Sequence, residues 1–252
     1  MQNFSSSIAG VTVRWHDLPG QGDPVVFIHG LGCASSYEYP RVVADACFVG
    51  RRALLIDLPG SGFSDKPVDY SYSTSEQARV VAELLTFLKI NRCYLYGHSM
   101  GGSIAIEVAG QLGSRVLALA VSEPNFYSGG GQFSRGIAAQ AESTFIQEGY
   151  GQLVAAEKTA WAGSLQSTAP WALWRAASSL VAGVTPNWMS RYKALSCPRT
   201  LIFGADSLPD PDLNEIERAG LPIVIIPDVG HSMSWENPTL LAAALNAIFS
   251  PA

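Results

Sequence analysis

The sequence predicts an α/β fold built on a doubly wound, mostly parallel sheet. Three observations lead there. Seven short β-rich runs recur along the 252 residues, and helix-patterned stretches separate them. Several runs are almost continuously apolar, as strands buried on both faces must be. Strand–helix–strand units repeated in this way imply right-handed crossovers.

Each element follows from its local chemistry. The β-rich runs are residues 11–17, 24–28, 52–57, 92–96, 116–121, 200–204 and 223–227. Ser73-Thr74-Ser75-Glu76 spells a capping box, with Ser73 as N-cap and Glu76 reaching back. Apolar residues at helical spacing follow over 78–88, and 101–112 and 238–249 read as further helices. Residues 124–195 break the rhythm. This stretch shows no clear strand, opens with Gly129-Gly130-Gly131, and holds four of the six tryptophans (Trp161, Trp171, Trp174, Trp188). Its pieces 137–147 and 171–181 read as helices. We expect a core of residues 1–123 and 196–252, with 124–195 as a helical cap inserted between strands 6 and 7 of that fold, here the runs 116–121 and 200–204. At least half of the cap's aromatic residues should serve its own packing.

Bulk properties narrow the function. Hydrophobic residues make up 48% and charged residues 15%, so a large core can form. With a net charge of -5 there is no cationic excess to neutralise phosphates, which disfavours nucleic acid. Residues 1–8 are polar and serine-rich, unlike a signal peptide, and no apolar run nears the ~20 residues of a membrane span. The four cysteines (Cys33, Cys47, Cys93, Cys197) form no CxxC, and the four histidines show no metal-binding spacing. The expectation is a cytoplasmic protein, monomer or homodimer, with a small-molecule substrate, no metal, no cofactor, and neither nucleic-acid nor membrane partners.

Gly97-His98-Ser99-Met100-Gly101 matches G-x-S-x-G, directly after the run 92–96 and directly before a helix. A sharp strand-to-helix turn would push the Ser99 hydroxyl out at the sheet edge, and glycine at 97 and 101 would avoid backbone collisions. Gly230-His231-Ser232-Met233-Ser234 nearly repeats these letters but lacks the final glycine, so Ser232 is a poor nucleophile. His231, just after the last strand, is then the expected general base, since a free serine hydroxyl is a weak nucleophile. His98, the neighbour of Ser99, should point away. His29-Gly30-Leu31-Gly32 follows the run 24–28, where a glycine-rich turn can aim a backbone N–H. Leu31 and Met100 N–H groups would form the oxyanion hole. The substrate pocket is expected to include His29, Phe126, Trp161 and Trp235.

Taken together, His29-Gly30, Asp57-Leu58-Pro59-Gly60-Ser61-Gly62-Phe63-Ser64, Gly97-His98-Ser99-Met100-Gly101 and Gly230-His231 resemble the α/β-hydrolase superfamily, in its capped, cofactor-free, esterase-like branch. These motifs span nearly the whole chain. They are specific to the fold and not to a substrate. Asp57 reads as structural, tying the turn after its strand.

The resemblance also implies a carboxylate between Ser99 and His231 in chain order. Two positions qualify. Relatives usually carry it three residues after a glycine in the loop after 200–204. Here that position is Ser207, and Asp206 comes one residue early. Other capped relatives, haloalkane dehalogenases among them, place the acid after the earlier strand, where this chain has Glu123. We favour Glu123, because a carboxylate at the edge of a buried strand is costly unless paired. The bland alternatives are an ion pair of Glu123 with Arg135, and a turn role for Asp206 near Pro209 and Pro211. Asp210 and Asp212 read as solvent-facing turn or helix-start residues.

The expected function is hydrolysis of carboxylic esters through an acyl-enzyme, on an apolar or aromatic substrate. The same site could serve C–C bond or lactone hydrolysis or perhydrolysis. A serine at the elbow speaks against a dehalogenase or epoxide hydrolase that forms an alkyl–enzyme. A ligand receptor of the same fold is the non-enzymatic alternative.

Overall fold

A computed structural model describes residues 1–48 and 50–250. Eight strands form one sheet: β1 (Gln2–Ser6), β2 (Val11–Leu18), β3 (Gln21–Ile28), β4 (Arg51–Asp57), β5 (Cys93–His98), β6 (Val116–Ser122), β7 (Arg199–Gly204) and β8 (Ile223–Ile226). Their order is β1-β2-β4-β3-β5-β6-β7-β8. The β1–β2 and β2–β4 pairs are antiparallel, and every later pair is parallel.

The central strands bury both faces. Along β3, Val26 and Ile28 join one core, while Val25 and Phe27 join the other. The first core lies under helices Thr74–Phe87 and Met100–Leu112, through Val80, Leu84, Ile104 and Val108. The second lies under helix Pro238–Phe249, through Leu241, Leu245 and Phe249, with Tyr39 and Tyr96. Each fully buried leucine or valine stabilises the fold by roughly 1.5–3 kcal/mol.

Two local features differ from the sequence reading. The polar start of the chain contains none of the seven expected runs. It forms β1, whose Phe4 and Ser6 point inward, and Ser6 Oγ donates to Glu83 Oε2 at 2.5 Å. The strand is too short and too polar for alternation to reveal it. The capping box is also half made. Ser73 Oγ accepts from Glu76 N, but Glu76 Oε2 accepts from Ser71 Oγ at 2.7 Å and does not reach back to Ser73.

Between β6 and β7 the chain is helical, with helices Gln132–Ala138, Tyr150–Ala156, Trp161–Leu165, Pro170–Ala182 and Trp188–Ala194 among its pieces. The helix expected over 137–147 breaks at Ala141, which is extended. The Gln140 carbonyl accepts from Trp174 Nε1 at 2.9 Å, so it serves the packing of a neighbouring helix. Trp188, Phe126 and Phe145 are buried in the first core, and Trp188 Nε1 donates to the buried Glu107 at 2.9 Å. Among the described residues, no helix is long and apolar enough to cross a membrane.

Candidate active site

Ser99 is the single residue between β5 and helix Met100–Leu112, and it turns the chain with φ 53° and ψ -123°. Left-handed backbone at a non-glycine residue costs about 1–3 kcal/mol and persists only where its surroundings enforce it. Here they do. Ser99 N donates to Ser122 O on β6 at 2.9 Å, and Gly102 N donates to Ser99 O at 2.8 Å. A Cβ on Gly97 would collide with the Gly101 carbonyl, and one on Gly101 with the Ile28 carbonyl. Glycine is therefore required at both flanks for the helix to start this close to the sheet.

His231 follows β8 and reaches back over the sheet edge. Its Nδ1 lies 2.6 Å from Glu123 Oε2. A carboxylate on Nδ1 implies that this nitrogen carries the proton, leaving Nε2 free to accept. Glu123 follows β6 directly, at φ 41°, and its other oxygen accepts from Gly204 N at 2.9 Å. Burial pushes the Glu123 carboxyl up. The His231 hydrogen bond and charge outweigh this, with the Gly204 N–H and the Ser207 hydroxyl, and hold it below its usual range. The His231 side chain keeps 48% of its exposure, while that of Glu123 keeps 8%. The other candidate acid, Asp206, is exposed, and among the described residues only its backbone is engaged, through Asp206 N to Val229 O. Arg135 does not pair with Glu123. Its guanidinium donates to Gly130 O.

Ser99 and His231 line the same cavity, and no hydrogen bond joins their side chains among the described residues. Such bonds often tighten only with substrate in place.

The turn after β3 holds its peptides firmly. The Gly30 carbonyl accepts from Cys33 N at 3.2 Å and faces His29 Nδ1 at 2.9 Å. His29 Nε2 accepts from Leu58 N at 3.1 Å, so Nδ1 is the protonated, donating nitrogen. The Gly30–Leu31 peptide is thus fixed from its carbonyl side. Among the described residues, neither Leu31 N nor Met100 N donates to a protein acceptor. His29, expected in the substrate pocket, is instead fully buried beneath it, with both ring nitrogens occupied by backbone. Asp57 ties the neighbouring turn through Ser36 and Phe63 N.

Among the described residues, the His98 side chain makes no hydrogen bond to Ser99. It meets a residue with no warning in the sequence. His98 Nδ1 lies 3.0 Å from the buried Glu38 Oε1, and its Nε2 lies 2.8 Å from the His231 carbonyl. A lone glutamate between two tyrosines offers no motif or spacing by which to find it.

The cavity above these groups has a volume of about 840 Å³. Phe126, Trp161 and Trp235 stand on its wall. Glu157, Asp210 and Asp212 line it too, with Arg135 as the cation among the described lining residues. Burial, with the charges of Asp210 and Glu215, pushes Asp212 up to about 6.

The alpha/beta hydrolase family model matches residues 25–244. The chain belongs to the alpha/beta hydrolase family. Among curated relatives, it is 26% identical over 267 residues to an esterase of Mycobacterium tuberculosis, covering 94% of this chain and 85% of that one. It is 33% identical over 156 residues to the dihydrolipoyllysine-residue acetyltransferase component of an acetoin cleaving system from Pseudomonas putida, covering 60% of this chain. That match spans 40% of the length of the relative. A solved thermophilic esterase from Thermogutta terrifontis superposes with a TM-score of 0.81 at 21% identity, covering 99% of this chain and 100% of that one. At that identity the likeness shows the fold.

Proposed function

We propose that this alpha/beta hydrolase cleaves neutral carboxylic esters through an acyl-enzyme. Ser99 Oγ attacks the ester carbonyl. His231 Nε2 takes its proton and returns it to the leaving alkoxide. Glu123 fixes the imidazole tautomer and balances the imidazolium that forms. The N–H groups of Leu31 and Met100 hold the oxyanion, a role in which one lost donor costs about 10²–10³ in rate. Water, deprotonated by His231, then cleaves the acyl-enzyme and restores Ser99.

The observation that carries this reading is the convergence of a strained serine and a carboxylate-bound histidine on one cavity. The charge of that cavity supports the neutral substrate. Its acids outnumber its cation, and an anionic acyl group would meet Glu157, Asp210 and Asp212. We read 124–195 as the cap that supplies Phe126 and Trp161 to the acyl pocket.

Turnover of p-nitrophenyl esters tests this. Ser99→Ala should abolish it. The wild type should favour a short neutral acyl group over a hemisuccinate-type acyl group by roughly tenfold or more in kcat/KM, equivalent to about 1.4 kcal/mol. Retained turnover in Ser99→Ala would overturn the mechanism, and preference for the anionic ester would overturn the substrate class.

A further inference from the structure

A second histidine–carboxylate pair lies directly behind the first. Glu38 is 1% exposed, and His98 is almost as deeply buried. Glu38 ends a short helical turn, Ser35–Glu38, just after the turn that carries Leu31. His98 is the last residue of β5 and precedes Ser99. From the third side, Ser234 Oγ donates to Glu38 Oε1 at 3.2 Å, and Ser234 lies three residues beyond His231. The His98 ring stands 4.7 Å, centroid to centroid, from the ring of His231.

Proton accounting limits what this pair can be. The His231 carbonyl can only accept, so His98 Nε2 must carry a hydrogen. Glu38 Oε1 lies 3.0 Å from Nδ1, an ion-pair distance without hydrogen-bond alignment, and two facing lone pairs there would repel, so one more proton belongs to the pair. Whichever atom holds that proton, the pair is neutral overall and adds no net charge beside His231. An isolated buried carboxylate or imidazolium would be far costlier than the pair.

We infer that Glu38 and His98 are positioning residues for the general base. His98 grips the His231 backbone while Glu38 fixes the His98 ring and the Ser234 hydroxyl, so one buried acid registers the oxyanion turn, the elbow and the histidine loop. The inference rests on the proposed roles of Ser99 and His231. It adds two residues that touch neither the substrate nor the reacting atoms in that mechanism. Both line the cavity floor but are nearly fully buried, with His98 Nε2 on the His231 carbonyl and Glu38 Oε1 facing His98 and Ser234, while Glu38 Oε2 has no hydrogen-bond partner among the described residues. Their effect must therefore pass through the placement of His231, which a neutral ester's KM does not sense and kcat does.

The test compares Glu38→Ala, Glu38→Gln and Ser99→Ala with the wild type, on a short neutral p-nitrophenyl ester. A glutamine amide can donate to an unprotonated His98 Nδ1, keeping Nε2–H on the His231 carbonyl. Alanine leaves that nitrogen without a partner. We expect Glu38→Ala to lower kcat by about 10–100-fold, the range over which misplacing a catalytic group by about 1 Å acts, with KM within about twofold. Glu38→Gln should recover most of that loss, within about threefold of wild type. Unchanged kcat in Glu38→Ala, or equal losses in both variants, would overturn the inference. So would a fall in kcat that tracks the folded fraction measured by circular dichroism at the assay temperature. Turnover that survives Ser99→Ala would instead break the mechanism on which the inference stands, so the two failures are distinguishable.

Discussion

Glu123 and Asp206 present the sharpest contrast at the scale of single residues. Both satisfied the chain order for a third catalytic member. In the folded protein, one is 2.6 Å from His231 Nδ1 and the other is exposed. Glu123→Ala should lower kcat by about 10³–10⁴-fold, the scale set by loss of the acid in known triads, while Asp206→Ala should stay within about threefold. Steady-state kinetics on both variants checks this, and the reverse ranking would remove Glu123 from its role. Glu123 was readable because a carboxylate at the end of a buried strand demands a partner. Glu38 was not, because its partners arrive from residues 98 and 234, and nothing near position 38 encodes them. His29 was misread for a related reason. Its motif marks the turn, but only the fold reveals that both ring nitrogens face backbone.

The Glu38–His98 pair also sets a pH dependence. Burial pushes Glu38 up, but the charge and hydrogen bond of His98 outweigh it, so its carboxyl sits below its usual value. Burial pushes His98 down, but the charge and hydrogen bond of Glu38 outweigh that, so its imidazole sits above its usual value. A depressed carboxyl contributes stability above its unfolded value of about 4.3, and loses it as pH falls through the folded value. A raised imidazole contributes below its unfolded value of about 6.5, and loses it as pH rises through the folded value. Both contributions coexist between roughly pH 4.3 and 6.5. The difference in thermal midpoint between wild type and Glu38→Gln should be largest in that window and shrink on either side. A difference that rises steadily with pH would contradict the paired state.

At the scale of elements, the strand–turn–helix around Ser99 was legible because apolar run, small residues and helical spacing coincide over a short stretch. The packing there also makes a prediction. Gly97 and Gly101 have no room for a Cβ, whereas Gly110, exposed in the same helix, meets nothing within 4 Å. Alanine at 97 or 101 should cost about 3 kcal/mol or more, because backbone must move. Alanine at 110 should stabilise by about 0.5–1 kcal/mol, by removing chain freedom in the unfolded state. For a chain of this size, 1 kcal/mol moves the thermal midpoint by about 2–4 °C, so calorimetry resolves the opposite signs. The edge strand β1 was hidden for the opposite reason. Its last residues alternate in burial, but Ser6 occupies a buried position where an apolar signal would be sought, and the strand pairs along its whole length with β2.

At the scale of the whole molecule, the sheet brings four distant segments to one edge. The turn after β3 carries Leu31, the elbow after β5 carries Ser99, the end of β6 carries Glu123, and the loop after β8 carries His231. Parallel strands make this possible, since their C-terminal ends share an edge and their loops can converge there. The order of these segments was readable from motifs. Their convergence required the fold, and so did the segment between β6 and β7, whose aromatic residues serve buried packing (Trp188, Phe145), the cavity wall (Trp161) or both (Phe126). The proposed mechanism needs all four segments to act on one nucleophile. Titration with a fluorophosphonate tests that claim most directly, reading residual esterase activity and locating the label by peptide mass. One label per chain on Ser99, with activity lost in proportion, is the result expected. Activity that persists after Ser99 is fully labelled, or a label on Ser232 that accounts for the loss, would contradict it.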